Sequence, residues 1–229
     1  MIVGLGALAT GSGAVFSSAT LSNTATSDST MEVYTAGNLS VSRGSSDWNS
    51  DYADTIDNPS DLPAAYVSGN TTNSDLSVKV ATQNTSSSKT LGYLLKVSNT
   101  SGSTVNVGVG FDSFGDEVGT ESETISQSDV VDAYEFRTND DDSSYNLSET
   151  TGVTDNDDIS GTSASPDSPS NHAAIPTGED LAIDLTMDPS DSLVSDINKV
   201  ANESGPRFEV GDGVLLVDAI TFGTETTNS

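Results

Sequence analysis

An all-β fold is what this sequence predicts: a jelly-roll-like β-sandwich with long acidic loops and at most one or two short helices. Three observations carry the prediction. Short stretches alternate apolar and polar residues, as in Leu76-Ser77-Val78-Lys79-Val80 and along Leu181 to Met187. That period turns one face of a strand inward. Clusters of Gly, Pro, Asn and Ser punctuate these stretches as turns do. Only Asp191 to Val200 spaces its apolar residues for a helix, at Leu193, Val194, Ile197 and Val200.

Taken in order, the chain opens on an apolar, glycine-rich run, Met1 to Val15. A membrane-spanning helix needs about 20 predominantly apolar residues, so this run is too short for one. It reads as the apolar part of a secretory signal, with small residues near Ser12 to Val15 suited to cleavage. The basic region of such a signal is missing, which implies a true start upstream. A buried amino-terminal strand is the alternative; a type IV pilin helix is opposed by Gly4, Gly6, Gly11 and Gly13. Residues 16–30 then form a linker without proline or glycine and with a single charge, Asp28. Such a segment is free to extend and to give its backbone hydrogen bonds to a sheet edge, with Ala19, Leu21 and Ala25 on one face and Phe16 on the other. A flexible tether is the competing reading.

Residues 31–229 are expected to form one sandwich. Met31 to Val33 and Leu39 to Val41 flank a turn at Gly37-Asn38, and residues 44–75 read mostly as loop. Leu91 to Val97 is apolar on both faces, as a central strand is. Asn99-Thr100-Ser101-Gly102-Ser103 makes a turn, and Val105, Val107, Val109 and Phe111 follow on one face, the best hairpin in the sequence. From about 112 to 172 the chain is acidic and polar, relieved mainly by a short strand at Ala133 to Phe136, and reads as a long exposed insertion. Ile175 to Glu179 turns into the strand ending at Met187, and Val214 to Phe222 is a last, central strand.

Composition limits the partners. Thirty-five acidic residues against seven basic ones give a formal charge of -28, and hydrophobic residues are only 33% of the chain. The acids are spread among segments with regular apolar alternation, which fits a disordered acidic chain poorly. They suit a folded protein in a very salty medium, where at ~1 M the Debye length is about 3 Å and repulsion is screened. A nucleic-acid partner or an anionic membrane surface would require a basic face. With no cysteine, disulfides, thiolate-held zinc and thiol catalysis are excluded.

Catalytic chemistry has little to work with. His172 is the one histidine, so neither a His-Glu-x-x-His zinc site nor a second imidazole exists. A Ser–His–Asp device would need that same residue, in a Ser/Pro/Asn-rich loop. No enzyme and no small-molecule substrate are expected. Calcium is the one metal worth weighing, because Asp155, Asp157 and Asp158 cluster oxygen ligands on a turn-forming segment, without the spacing of an EF-hand. Six Asn-x-Ser/Thr sequons, at Asn38, Asn70, Asn84, Asn99, Asn146 and Asn202, are candidates for glycosylation on an exported chain.

Three stretches carry a family resemblance. Ala14-Val15-Phe16-Ser17-Ser18 is similar to the "AxFSD" element of TasA/camelysin-like surface proteins. Tyr34-Thr35-Ala36-Gly37-Asn38-Leu39-Ser40-Val41 resembles their "F-x-A-G-T-L-D-L". Leu95 to Gly102 resembles their "F-x-V-x-N-x-G" hairpin. The acidic residue after Phe16-Ser17 is absent, and Asn38 and Ser40 stand where Thr and Asp are usual. The resemblance implies an extracellular or cell-surface β-sandwich that polymerises head to tail with copies of itself by donating an amino-terminal strand. The same sandwich acting singly, in adhesion or envelope structure, is the second expectation. Camelysin-type metalloprotease activity has no ligand set here.

Overall fold

The computed structural model describes residues 26–35, 39–45, 64–70, 74–83, 87–119, 125–139, 158–161, 172–203 and 214–225. In chain order these hold β1 (Thr26–Thr35), β2 (Leu39–Arg43), β3 (Ala64–Asn70), β4 (Ser74–Gln83), β5 (Lys89–Asn99), β6 (Val105–Phe114), β7 (Val118–Gly119) and β8 (Ile125–Ser126). There follow helix α1 (Gln127–Ala133), β9 (Tyr134–Asn139), β10 (Ser160–Gly161), β11 (Ala173–Ile175), β12 (Asp180–Met187), helix α2 (Asp191–Glu203), β13 (Val214–Leu215) and β14 (Val217–Glu225). Among the described residues the fold is all-β with two short helices.

The period-two pattern decides which side chains go inward. On β1 Met31 and Val33 are buried while Glu32 and Tyr34 are exposed. On β12 Leu181, Ile183, Leu185 and Met187 are buried, as their alternation requires. Strands pair along the path β10-β6-β14-β1-β4-β3-β2-β5-β12-β9, with β11 added beside β6 and β13 beside β1. The path closes into a sandwich in which β9 meets β6 and β14 across the core. Phe136 of β9 reaches across the core to Phe111 of β6 and Phe222 of β14, with ring centroids 6.2 Å apart in each case. Each fully buried aliphatic or aromatic side chain between the layers contributes about 1.5–3 kcal/mol.

On one side the layers are stitched by residues 158–161. Val109 N–H donates to the Ile159 carbonyl at 2.8 Å and Ile159 N–H donates to the Phe136 carbonyl at 2.9 Å. Phe136 N–H donates to Ser160 Oγ at 2.6 Å, and the Ile159 side chain is fully buried. A four-residue segment thus joins β9 to β6 and leaves neither edge bare there.

Several expectations are corrected. The strongest hairpin is not one: β5 pairs with β2 and β12, whereas β6 pairs with β14, β10 and β11. Residues 100–104 therefore carry the chain from one layer to the other. The stretch 44–75 holds β3 and the start of β4, because Ala65 and Val67 alternate inward. The stretch 112–172 is not simply an exposed insertion. It contains β7 to β10 and α1, and Ile125, Val130, Tyr134, Phe136 and Ile159 are core residues. The linker ends sooner than expected, since β1 begins at Thr26 and pairs with Gln83 of β4 from that residue on. The last strand breaks at Leu216 into β13 and β14, and β14 is central between β6 and β1.

Candidate assembly interface

The second meeting of the two layers, between β2 and β3, differs from the first. β2 pairs with β5 along Leu39 to Arg43. β3 pairs with β4 from Ala64 to Asn70. Between β2 and β3 the described pairing is one residue pair, Ser42 with Asn70. The local sequence accounts for the divergence. Gly69 takes φ 79°, a left-handed conformation that glycine adopts without a Cβ penalty. The β3–β4 register shifts there, between Ser68 and Asn70. Such a bulge bends and twists the strand that carries it, so β3 leaves β2 directly after their shared pair.

β3 reads Ala-Ala-Tyr-Val-Ser-Gly-Asn, without a charged residue. Ala65 and Val67 anchor it inward, and Tyr66 and Ser68 are half-buried on the other face. Sheet edges are usually blunted by Lys, Pro, inward charges or a cover. Here Pro63 precedes the strand and its bulge lies at one end. From Ala64 to Ser68, among the described residues, the second edge of β3 has no paired strand. Among the described residues the ion pairs lie elsewhere, Lys96–Asp180 at 3.1 Å across β5 and β12, Arg137–Glu135 on β9 and Lys199–Asp196 on α2.

The amino terminus bears on this edge through β1, the middle strand between β14 (parallel) and β4 (antiparallel). Thr26 is opposite Gln83, and Ala64 is opposite Ala81 on the same strand. β1 and β3 therefore start at the same end of the layer, two strand spacings or about 10 Å apart.

The residues singled out from sequence fall as follows. Phe16, Ala19, Leu21 and Ala25, the expected donor residues, lie outside the described residues, as do Asn38, Asn84, Asn146, Asp155 and Asp157. Asn70 closes β3, and Asn202 is in α2. Asp158 is at the stitched side, where its Oδ1 accepts from Ser160 N–H at 2.9 Å and its backbone bridges to Arg137. No group of three or more His, Cys, Asp and Glu that could hold a metal ion occurs among the described residues. His172 immediately precedes β11 and is half-buried.

Asn99 is a correction. Far from offering its amide to solvent, it is 1% exposed. Its Nδ2 lies within donating distance of the carbonyls of Ser103 (2.9 Å), Ile175 (2.8 Å) and Pro176 (3.1 Å). Its Oδ1 accepts from Ser101 N–H at 2.9 Å. Its backbone pairs with Glu179 and Gly178, the latter at φ 76° in the turn before β12. Both connections at this point cross between layers, β5 to β6 and β11 to β12, and Asn99 ties them together. Strand β3, interior to the path but paired with β2 only at Asn70 among the described residues, was itself missed in sequence. Its signal was present in the Ala65/Val67 alternation bounded by Pro63 and Gly69-Asn70.

Comparison with protein-family models, with curated proteins and with solved structures finds no match to this chain.

Proposed function

We propose that this protein is the structural subunit of an extracellular or cell-surface filament, in which residues 16–25 of one subunit add as a strand to the β3 edge of the next. The observation that carries the reading is that edge: an uncharged strand joined to its other neighbour, among the described residues, at one residue pair. The resemblance to TasA/camelysin-like fibre proteins points the same way.

Charge favours the pairing. Subunits of charge -28 repel one another, and two of them approach most cheaply where both surfaces are neutral. Residues 16–25, FSSATLSNTA, carry no charge, proline or glycine. They match β3 in lacking charge and proline and extend to about 33 Å, against about 23 Å for seven residues of β3. The contact is heterologous, so it propagates into an open filament unless the rotation closes.

The test removes Phe16 to Ala25 and stops short of Thr26, the first residue of β1. Negative-stain imaging in molar salt should find filaments of the full chain and only monomers of the deleted one, with circular dichroism unchanged. Filaments of the same subunit repeat from the deleted protein would overturn strand donation. A full chain that stays monomeric would leave the adhesive reading in its place.

A further inference from the structure

We infer that folding and N-glycosylation are mutually exclusive fates for Asn99, so that the Asn99-Thr100-Ser101 sequon accepts a glycan only while the joint between the two crossovers is unmade. Glycan transfer forms a bond from Asn Nδ2 to the anomeric carbon of a lipid-linked oligosaccharide. The bond from that carbon to the lipid diphosphate breaks, and the amide gives up one proton. The nitrogen must therefore reach solvent and keep room for a sugar ring.

In the folded chain neither condition is met. Three carbonyl oxygens from Ser103, Ile175 and Pro176 surround Nδ2 within 3.1 Å, and the residue is 1% exposed. The rest of the sequon is engaged as well. Ser101 N–H is held by Asn99 Oδ1, and the Ser101 hydroxyl donates to the Ser103 carbonyl at 2.6 Å. A transferring enzyme has to bind both the amide and the hydroxyl, and the turn occupies both. Conversely, a sugar on Nδ2 takes the space of the Ile175 and Pro176 carbonyls, which lie at the end of β11 and in the connection to β12. A chain modified there cannot close this joint, and leaving buried carbonyls without a donor is costly.

Two conditions on the wild-type chain separate the outcomes. Native protein in molar salt and protein unfolded in urea, then diluted into the reaction, are each given a purified oligosaccharyltransferase and its lipid-linked oligosaccharide. Peptide mapping by mass spectrometry then reads occupancy at Asn99. Occupancy in the unfolded sample should exceed that in the native sample by at least tenfold, and the Asn99-glycosylated fraction should fail to regain the native circular dichroism spectrum. A Ser101→Ala chain, which lacks the sequon but keeps the Asn99 amide, should refold after the same treatment. Equal occupancy in the two samples, refusal of the unfolded sequon, or native refolding of the glycosylated chain would each overturn the inference.

Discussion

Between β9 and β6 the layers are joined by four residues with an apolar anchor; between β2 and β3 the pairing among the described residues is Ser42 with Asn70. Both sides face the same difficulty, a row of backbone donors and acceptors that must be paired or wetted. On the first side the chain supplies its own strand fragment, with Ile159 in the core and the Ser160 hydroxyl standing in for a carbonyl. On the second it supplies a bulge at Gly69 and leaves an uncharged edge. The difference teaches that closure depends on an internal segment long enough to reach and apolar enough to stay. At β3 no such segment pairs with Ala64 to Ser68 among the described residues, and a strand from another copy is the proposed occupant of that edge.

The contrast can be broken from the closed side first. Replacing Ile159 by alanine leaves a cavity under the stitch and should cost about 2–5 kcal/mol in chemical denaturation at molar salt. A loss under about 1 kcal/mol would mean that residues 158–161 lie on the core without holding it. Ser160→Ala is milder. It removes the acceptor of Phe136 N–H, a buried donor whose loss of a partner should cost about 1–3 kcal/mol. Smallest in stability is Ser68→Lys on the open edge, which should stay within about 0.5 kcal/mol of the parent. It should nonetheless abolish filaments, because a charge is what natural edges use to refuse a strand. Filaments unaffected by Ser68→Lys would separate the β3 edge from assembly.

Which of these features could be read from residue order follows from the range of the interactions. β4, β5, β12 and α2 were legible because their apolar spacing is local and each buries the predicted face. α1 had a local signal too. Ser126 and Asp129 have the spacing of a helix start, and Ser126 Oγ accepts the Asp129 N–H at 3.4 Å. The β5–β6 pairing was misread because a five-residue turn suits a hairpin and a crossover equally. The choice was made by Asn99 and the carbonyls of Ile175 and Pro176, more than seventy residues away. Ile159 was hidden for the opposite reason, a lone apolar residue among Asp155, Asp157 and Asp158 with no periodicity around it. The open edge was legible only in part: its neutrality is in the sequence, whereas its pairing with β2, Ser42 with Asn70 among the described residues, depends on the register of three strands.

Mixing single-cysteine variants tests strand donation most directly, because the natural chain has no cysteine and every disulfide formed is an engineered one. Ser68→Cys marks the outer face of the β3 edge. Ser18→Cys, Thr20→Cys and Ser22→Cys mark the corresponding face of the donated segment, where laterally paired residues on one face sit about 5 Å apart between Cβ atoms. Under mild oxidation in molar salt, Ser68→Cys mixed with at least one of the three should give a heterodimer by mass spectrometry. The matching double variant should give a ladder of covalent oligomers. Filaments that yield no such cross-link from any of the three mixtures, or a double variant that closes only on itself, would contradict donation to β3.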